Sequence, residues 1–347
     1  MREAFFASLG ADLVHTSSMF EGWGDNTIAS SGRLPRDHIS AVTLYDLIPH
    51  AQPQRYLPTP AQQAWYADAL DSLRDCDLML AISDYARQSA LDMLGTPAGD
   101  IATIFADADP MFQPANIAAP AARQRLQDFG IHSPFIMYTG IISNQDPRKN
   151  CPGLVRAYAS LPAAVRERHQ LVLVGRYNAY DRHDMLAEAQ KLGVPERQLV
   201  FTNRVEDEDL VLLYSACHLF VFPSLEEGFG LPALEAMRCG TVAIGSDSSS
   251  IPEVIVNPEA LFDPNSEASI AQAMERALTK QDVRDAILAS SAIASARFSW
   301  DRCAQLALAA FEEKFAARGR SGSAPRSAAA DSVAANLMQA LKGISPR

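Results

Sequence analysis

The sequence predicts an α/β fold built from parallel sheets with helices on both faces. Between residues 134 and 264, short apolar runs alternate with amphipathic stretches of helical length. Strands that are apolar along their whole length are typical of parallel sheets covered on both faces, and right-handed crossovers make such sheets doubly wound. The chain has 347 residues, of which 48% are hydrophobic, so it is long enough for two domains of this kind.

The C-terminal half carries the clearest alternation. Its predicted strands cover residues 135–140, 171–175, 199–202, 219–223 and 242–245. Its predicted helices cover residues 153–161, 181–193 and 207–216. Ligands bind beyond the carboxyl ends of such strands, so a site is expected in the loops after Thr139, Val174, Thr202, Phe222 and Ile244.

The N-terminal half shows a weaker form of the same pattern. Strands are predicted at residues 12–15, 41–45 and 78–82, and a helix that Ser83 caps at 84–94. A Pro- and Ala-rich stretch at residues 114–123 is typical of a linker. We therefore predict one domain at residues 1–120, a second at 121–318, and a flexible tail with a short helix at 319–347.

Composition excludes several classes of function. A net charge of −11 argues against a nucleic-acid partner, because phosphates demand a basic surface. Five scattered cysteines without a C-x-x-C pair fit free thiols in a reducing compartment. No apolar run is long enough to span a membrane, and the first residues do not form a signal peptide. We therefore expect a cytoplasmic protein.

The strongest signal for a site lies in residues 218–240. A strand leads into a glycine-bearing loop at residues 226–230, and a helix begins at Leu231. Glycines let the backbone approach a ligand, and the free N–H groups of a helix start favour an anion such as a sugar diphosphate. Glu227 and Glu235 suit hydrogen bonds from sugar and ribose hydroxyls. An ordinary glycine turn before a helix is the alternative.

The string from Glu227 to Met237, E-G-F-G-L-P-A-L-E-A-M, resembles the E-x7-E signature of the family 4 glycosyltransferases, which have the GT-B fold. The likeness extends over about residues 10–315. It implies two Rossmann-like domains that face a cleft, with the donor sugar near Glu227 and the ribose held by Glu235. The resemblance also implies that the sugar and the diphosphate meet the backbone of Gly228, Phe229, Gly230 and Leu231.

A second element of the same family follows the first strand of the C-terminal half. The segment that begins at Gly140 and ends in Arg148-Lys149-Asn150 resembles the family's R-K-N element. The resemblance implies that Lys149 binds the diphosphate and that Arg148 assists. Cations placed there stabilise the charge that the leaving group gains. Relatives carry an Arg where this chain has Ile141, which leaves the share of Arg148 open.

The resemblance also assigns the surroundings of the nucleotide and the acceptor side. Arg176, Val205 and Tyr214 lie where relatives surround the base. The stretch Tyr45-Asp46-Leu-Ile-Pro49 resembles the H-D-L-I-P element, which makes Asp46 the candidate that touches the acceptor or the reacting sugar. A strand-end Asp that caps a turn is the alternative. No metal-binding signature is visible, and no metal cofactor is expected.

These residues lead to one predicted function. The resemblance implies a retaining glycosyltransferase that moves a hexose from a GDP- or UDP-linked donor, first of all mannose from GDP-mannose, to a glycan or lipid-linked saccharide. The likeness is greatest to mannosyltransferases of bacterial surface polysaccharide and lipopolysaccharide assembly, which predicts peripheral contact with the inner face of the membrane.

Two other functions stay open at this point. Complete relatives open with a strand, a Gly-rich loop and a helix that this sequence lacks, so we expect an incomplete N-terminal domain and a missing companion domain. A catalytically silent GT-B remnant that binds nucleotide or a partner protein is therefore one alternative. A synthase of the glycogen or sucrose type is the other.

Overall fold

The chain folds into two compact units. The computed structural model describes residues 2–25, 27, 29–31, 34, 36–143 and 146–320. The first unit comprises Met1–Phe105 and the segment that begins at Trp300, and the second comprises Ala106–Ser299. The part of the predicted tail beyond residue 320 lies outside the described residues.

The first unit is built on a parallel sheet. Its strands are β1 (Leu13–Thr16), β2 (Ile39–Leu44), β3 (Leu78–Ala81) and β4 (Ile101–Thr103). Its helices are α1 (Arg2–Ser8), α2 (Ile48–Ala51), α3 (Pro53–Tyr56), α4 (Pro60–Arg74) and α5 (Asp84–Leu94). The described strands pair in chain order, β1-β2-β3-β4, and every pair is parallel.

Local signals set the ends of these helices. Thr59 and Gln62 form a capping box at the start of α4. The hydroxyl of Ser83 accepts a hydrogen bond from the Ala86 N–H (2.9 Å), which confirms the predicted cap of α5. Gly95 ends the same helix in the left-handed conformation.

Both faces of the first sheet are covered. On one face, Val42 and Met79 pack against Tyr66 and Leu70 of α4. On the other face, Leu78 packs with residues of the long helix Trp300–Arg320. That helix therefore belongs to the first unit, whereas the predicted division assigned residues 300–318 to the second. Its amphipathic pattern predicts a buried face but does not say which sheet the face covers.

The second unit is also built on a parallel sheet. Its strands are β5 (Phe135–Thr139), β6 (Gln170–Val174), β7 (Leu199–Asn203), β8 (Leu219–Phe222), β9 (Ala243–Ser246) and β10 (Leu261–Phe262). Its helices are α6 (Pro120–Asp128), α7 (Cys151–Ala159), α8 (Ala163–Arg166), α9 (Ala179–Lys191), α10 (Asp207–Ala216), α11 (Leu231–Arg238), α12 (Ile251–Val254), α13 (Glu267–Thr279) and α14 (Gln281–Ser295). The last described helix, α15 (Trp300–Arg320), belongs to the first unit.

The strand order of the second unit locates its ligand-binding edge. The described strands pair in the order β10-β9-β8-β5-β6-β7, all parallel. Read from the other edge, this is the 3-2-1-4-5-6 order of doubly wound sheets. The order reverses between β5 and β8, and ligands of such sheets bind in the crevice at that switch point.

Two contacts show how the ends of the second unit are arranged. The predicted linker belongs to this unit, because α6 begins within it and the Ala115 N–H donates to Ser215 Oγ (3.0 Å). Arg238, the last residue of α11, donates through one nitrogen to Asp107 Oδ1 (2.7 Å) and to the Phe298 carbonyl (2.9 Å). The chain therefore enters and leaves the unit beside the same guanidinium group.

Across the described part of the chain, no helix combines the length and the apolar character that crossing a bilayer requires.

Candidate active site

The switch point of the second unit brings two loops together. One loop follows β5 and carries Arg148 and Lys149, and the other follows β8 and carries Glu227. Because β5 and β8 are parallel neighbours, both loops leave from the same edge of the sheet. Residues that are about 80 positions apart in the sequence thus meet at one place.

Three charged side chains form a cluster between these loops. Lys149 Nζ donates to Glu227 Oε1 (2.7 Å), and Arg148 Nη1 donates to Glu227 Oε2 (2.9 Å). Arg148 Nη1 also donates to the Glu226 carbonyl (2.9 Å). The side chains of Lys149, Arg148 and Glu227 are only 14%, 17% and 11% exposed. Sheltered charges are screened less than surface ones, so this cluster is held more firmly than an exposed ion pair.

Asn150 fixes the position of the two cations. Its side-chain amide donates to the carbonyls of Pro223 (3.1 Å) and Pro264 (2.9 Å) and so joins the loops after β5, β8 and β10. The Leu225 N–H donates to the Arg148 carbonyl (2.7 Å), which ties the two switch-point loops by their backbones as well. The sequence placed Asn150 in the R-K-N element but assigned it no role.

Two glycines let the loop after β5 turn. Gly140 and Gly175 have φ values of 145° and 137°, and a Cβ on Gly175 would meet the Gly140 carbonyl oxygen at 1.8 Å. The hydroxyl of Tyr138 donates to the Ile141 carbonyl (3.1 Å) directly beneath this turn. Burial raises the pKa of the Tyr138 phenol well above its ordinary value, so the phenol stays protonated and keeps donating.

Serines after β9 hold the backbone of the glutamate loop. The Glu227 N–H donates to Ser249 Oγ (2.9 Å), and Ser250 Oγ donates to the carbonyls of Glu227 (2.8 Å) and Phe229 (2.9 Å). The loop after Ile244 was expected at the ligand-binding edge, but its serines were not predicted as supports. Their only signal in the sequence is a polar run after a buried strand.

The remaining residues of the glutamate loop lie at the start of α11. Phe229 is 3% exposed, and its ring meets Phe298 edge to face with centroids 5.3 Å apart. Its side chain is thus part of the core, and only its backbone is left for a ligand. Gly228 is buried, Gly230 precedes the helix with a φ of 118°, and Leu231 is exposed at the first helical position.

Glu235 lies one turn further along α11. The hydroxyl of Tyr214 donates to Glu235 Oε2 (2.8 Å). Burial raises the pKa of the Glu235 carboxyl, and the hydrogen bond from Tyr214 acts against this rise. Tyr214 was expected near the nucleotide base, but it is fully buried and so reaches the site only through Glu235.

Other predicted site residues lie outside the charged cluster. Arg176 is exposed after β6, and its carbonyl accepts from the Ile142 N–H (2.9 Å), so it supports the loop after β5. Val205 is half-buried between β7 and α10, two strands away from β5. Asp46 belongs to the first unit, where its Oδ1 accepts from the Ile48 N–H (3.0 Å). This is the turn-capping contact that the sequence offered as the alternative role.

Comparison with known proteins identifies the family of this site. Residues 136–291 match the family model of glycosyl transferases group 1. The chain carries a group 1 glycosyltransferase domain. This glycosyltransferase domain contains both switch-point loops, so Lys149, Arg148 and Glu227 all lie inside it.

Two relatives of the glycosyltransferase domain come from Escherichia coli. The serotype-specific mannosyltransferase WbdA is 33% identical over 346 residues, which are 99% of this chain and 41% of that protein. The O-antigen chain mannosyltransferase B is 32% identical over 246 residues, which are 70% of this chain and 62% of that protein. The chain therefore spans about two-fifths of the length of WbdA.

Solved glycosyltransferases share the fold. Sucrose-phosphate synthase from Thermosynechococcus elongatus matches with a TM-score of 0.68 at 23% identity, over 91% of this chain and 77% of that one. HepE of Anabaena, solved in complex with UDP-glucose, matches with a TM-score of 0.62 at 22% identity, over 78% and 72% of the two chains. The two parallel sheets thus have the architecture of GT-B glycosyltransferases, as the sequence predicted.

Proposed function

We propose that the chain binds a nucleotide sugar at the switch point of its second unit and transfers the hexose with retention of configuration. Mannose from GDP-mannose is the proposed donor, since both similar E. coli proteins are named mannosyltransferases. The observation that carries the proposal is the cluster in which Lys149 and Arg148 share the carboxylate of Glu227.

The two cations of this cluster suit a diphosphate. Lys149 and Arg148 share the Glu227 carboxylate, and Arg148 Nη2 also lies 3.7 Å from Asp146 Oδ2, so an incoming diphosphate takes the place of carboxylate partners that already hold the cations in position. A nucleoside diphosphate that leaves gains negative charge in the transition state. Cations already in place stabilise that charge more than the ground state, which accelerates the reaction. The positive end of the α11 helix dipole favours the same charge.

The carboxylates take the hydroxyl groups of the donor in this proposal. When the diphosphate binds the cations, Glu227 is released to accept hydrogen bonds from hydroxyls of the sugar. Glu235, oriented by Tyr214, accepts from the ribose hydroxyls. The backbone from Gly228 to Leu231 lies between these two carboxylates in the sequence and faces the sugar and the diphosphate.

The reaction needs no base from the protein. The acceptor hydroxyl attacks the anomeric carbon on the face from which the diphosphate leaves, and the bond between that carbon and the diphosphate oxygen breaks. The departing oxygen takes the proton of the acceptor. The acceptor is a glycan or a lipid-linked saccharide, with Asp46 on its side. We place the reaction in the cytoplasm, at the inner face of the membrane when the acceptor is lipid-linked.

Isothermal titration of the full chain tests the donor site. GDP-mannose should bind more tightly than UDP-glucose or ADP-glucose. Lys149→Ala should weaken that binding by about tenfold or more, because a charge-assisted hydrogen bond is lost. Lys191→Ala, which removes an exposed lysine at the end of α9, is the matched control and should bind as the wild type does.

The outcomes separate the candidate functions. If no nucleotide sugar binds the purified chain, the donor site itself is rejected. Binding of GDP-mannose without transfer to any saccharide acceptor favours the silent remnant. Preference for UDP-glucose or ADP-glucose favours a synthase of the glycogen or sucrose type.

A further inference from the structure

The turn that follows β9 contains a residue with an unfavourable backbone conformation. Ser249 has a φ of 53°, in the left-handed region. Among the described residues other than glycine, only Phe105, Asn150 and Asn203 share this region. Asparagine enters it readily because its side chain can bond to the local backbone, whereas serine enters it at a cost. Strain of this kind persists where the surrounding structure requires it, and it is frequent at functional sites.

The hydroxyl of Ser249 contacts the backbone of Glu227. Its Oγ accepts a hydrogen bond from the Glu227 N–H (2.9 Å), 22 positions away in the sequence. The hydroxyl of the next residue, Ser250, donates to the Glu227 carbonyl (2.8 Å). These two hydrogen bonds hold the peptide groups on either side of the Glu227 Cα atom. Because each peptide group is planar, holding both of them fixes φ and ψ of Glu227 and thus the direction of its side chain.

The three serines of this turn bind the glutamate loop in two different ways. Ser248 Oγ donates to the Leu225 carbonyl (2.7 Å), and Ser250 Oγ donates to carbonyls only. Ser249 is the one of the three that accepts from an N–H, and it is also the one with a left-handed backbone. The strain and the contact with the Glu227 N–H therefore coincide at one residue.

We propose that Ser249 is a positioning residue for sugar transfer, and that its strained backbone is retained because the hydroxyl holds Glu227. The Glu227 carboxylate meets Lys149 at 2.7 Å and Arg148 at 2.9 Å, so a rotation of its backbone changes both distances. A misplacement of about 1 Å can lower a rate by about 100-fold. The effect on transfer rests on the proposed function, but the hold on the Glu227 backbone does not.

Three substitutions of Ser249 separate the hydroxyl from the backbone strain. Ser249→Ala removes the hydroxyl and keeps the strain, since alanine also carries a Cβ. Ser249→Gly removes both, because glycine adopts a positive φ without cost. Ser249→Thr keeps the hydroxyl and increases the strain, because β-branched residues rarely adopt a positive φ. We expect the urea midpoint of the glycine variant to lie above that of the alanine variant, and that of the threonine variant to lie below the wild type.

Transfer should follow the hydroxyl and not the stability. In transfer of mannose from GDP-mannose to mannotriose, kcat of Ser249→Ala and Ser249→Gly should fall by about ten- to 100-fold. The KM for GDP-mannose should change little, since Lys149 and Arg148 remain. Ser249→Thr should keep most of the wild-type kcat. Exchange of the Glu227 amide hydrogen with solvent, followed by nuclear magnetic resonance, should become faster in the alanine and glycine variants, and it needs no nucleotide.

A role in stability alone predicts the opposite order of activities, with the glycine variant more active than the threonine variant. That order, or unchanged exchange of the Glu227 amide in Ser249→Ala, overturns the proposal. If the threonine variant does not fold, the glycine variant decides: full kcat overturns the proposal, and a lower kcat at a urea midpoint equal to or above that of the wild type supports it. If the wild type transfers no mannose, the proposed function fails, and amide exchange still decides whether Ser249 holds Glu227.

Discussion

Glu227 combines two roles that a single substitution can separate. Its carboxylate positions Lys149 and Arg148, and its negative charge offsets theirs. In the proposed function, a diphosphate competes with that charge for the same two cations. The geometry of the cluster and its affinity for anions therefore respond differently when only the charge of Glu227 is removed.

The variant Glu227→Gln keeps the shape and one acceptor oxygen. We expect it to bind GDP at least as tightly as the wild type, since the competing negative charge is gone. Transfer of mannose should fall by about 100-fold, because the donor sugar loses a charged hydrogen-bond acceptor and the cations lose their orientation. Titration with GDP and a transfer assay measure the two effects. Weaker GDP binding together with unchanged transfer would contradict the assigned role.

The buried charge of Glu235 should lower the free energy of unfolding, while the same carboxylate contributes to binding of the proposed donor. Burial raises the pKa of its carboxyl in the folded chain, whereas in the unfolded chain the pKa has its ordinary value. Between these two pKa values the folded state holds more protons, so stability falls as the pH rises through that window. The cost of burying the charge is therefore fully present above the raised pKa of the folded chain and absent below the ordinary pKa of the unfolded chain.

Glu235→Gln removes this charge and keeps an oxygen for the Tyr214 hydroxyl. We expect a higher urea midpoint than the wild type at pH 7.5 and no gain at pH 4. GDP-mannose should bind about tenfold more weakly, because the ribose hydroxyls lose a charged acceptor. Asp263→Asn, at an exposed position after β10, serves as the comparison for simple loss of a surface charge. If the urea midpoint of Glu235→Gln does not rise at pH 7.5, the buried charge of Glu235 does not destabilise the folded chain as expected.

Some of these residues could be identified from the sequence. Glu227 and Lys149 were singled out because each occupies a recognisable motif after a predicted strand. Ser249 and Ser250 were not, because their role comes from contacts across more than 20 positions that no local pattern records. Tyr214 was expected at the surface of the site, but α10 turns it into the core beneath Glu235.

At the level of secondary-structure elements, the turn after β5 depends on the turn after β6. Gly175 ends β6, and no side chain fits there because the Gly140 carbonyl oxygen occupies the space. The Gly140 N–H in turn donates to the Val174 carbonyl (3.0 Å). Any side chain at position 175 therefore moves the loop that carries Arg148 and Lys149.

Gly175→Ala tests this dependence. The added methyl group would lie 1.8 Å from the Gly140 oxygen, and the backbone has a φ of 137° that alanine rarely adopts. We expect a loss of about 3 kcal/mol or more in unfolding free energy, measured by urea denaturation. Gly99→Ala, where nothing lies within 4 Å of the new methyl group, should be close to neutral. Equal stability of the two variants would contradict the packing argument.

The elements predicted within the described residues are present, but others were not predicted, among them the long helices α4, α13 and α14. The helices at 84–94 and 207–216 have their predicted bounds, and the five strands expected in the C-terminal half are all present. Strands β4 and β10 have only 3 and 2 residues, too few to show any periodicity, and they were missed. Their pairing is decided by the neighbouring strands β3 and β9 and not by their own composition.

For the whole molecule, the sequence predicted two α/β units but not how the chain divides between them. The crossing lies at Phe105 and Ala106, earlier than the Pro- and Ala-rich stretch that suggested a linker. The last described helix, α15, returns to cover the first sheet, where Ala310 is buried with Leu78 and Leu80. The partner of an amphipathic face is a property of the folded molecule, so no local pattern could identify it.

The contacts of Arg238 have a consequence for how this molecule can be taken apart. One nitrogen of that side chain donates a hydrogen bond to Asp107, where the chain enters the second unit, and another to Phe298, where the chain leaves it. Residues 106–299 are thus an insert whose two ends lie close together. We expect this insert, here called the cassette, to fold as an independent domain.

Expressed alone, or closed into a ring by a short Gly-Ser linker, the cassette should melt cooperatively and bind GDP-mannose as the full chain does. Circular dichroism and calorimetric titration check both expectations. Arg238→Ala should lower the melting temperature of the open cassette more than that of the ring, because in the ring a covalent link replaces the contacts of Arg238. Such a ring would allow the donor-binding domain to be transferred intact into another protein.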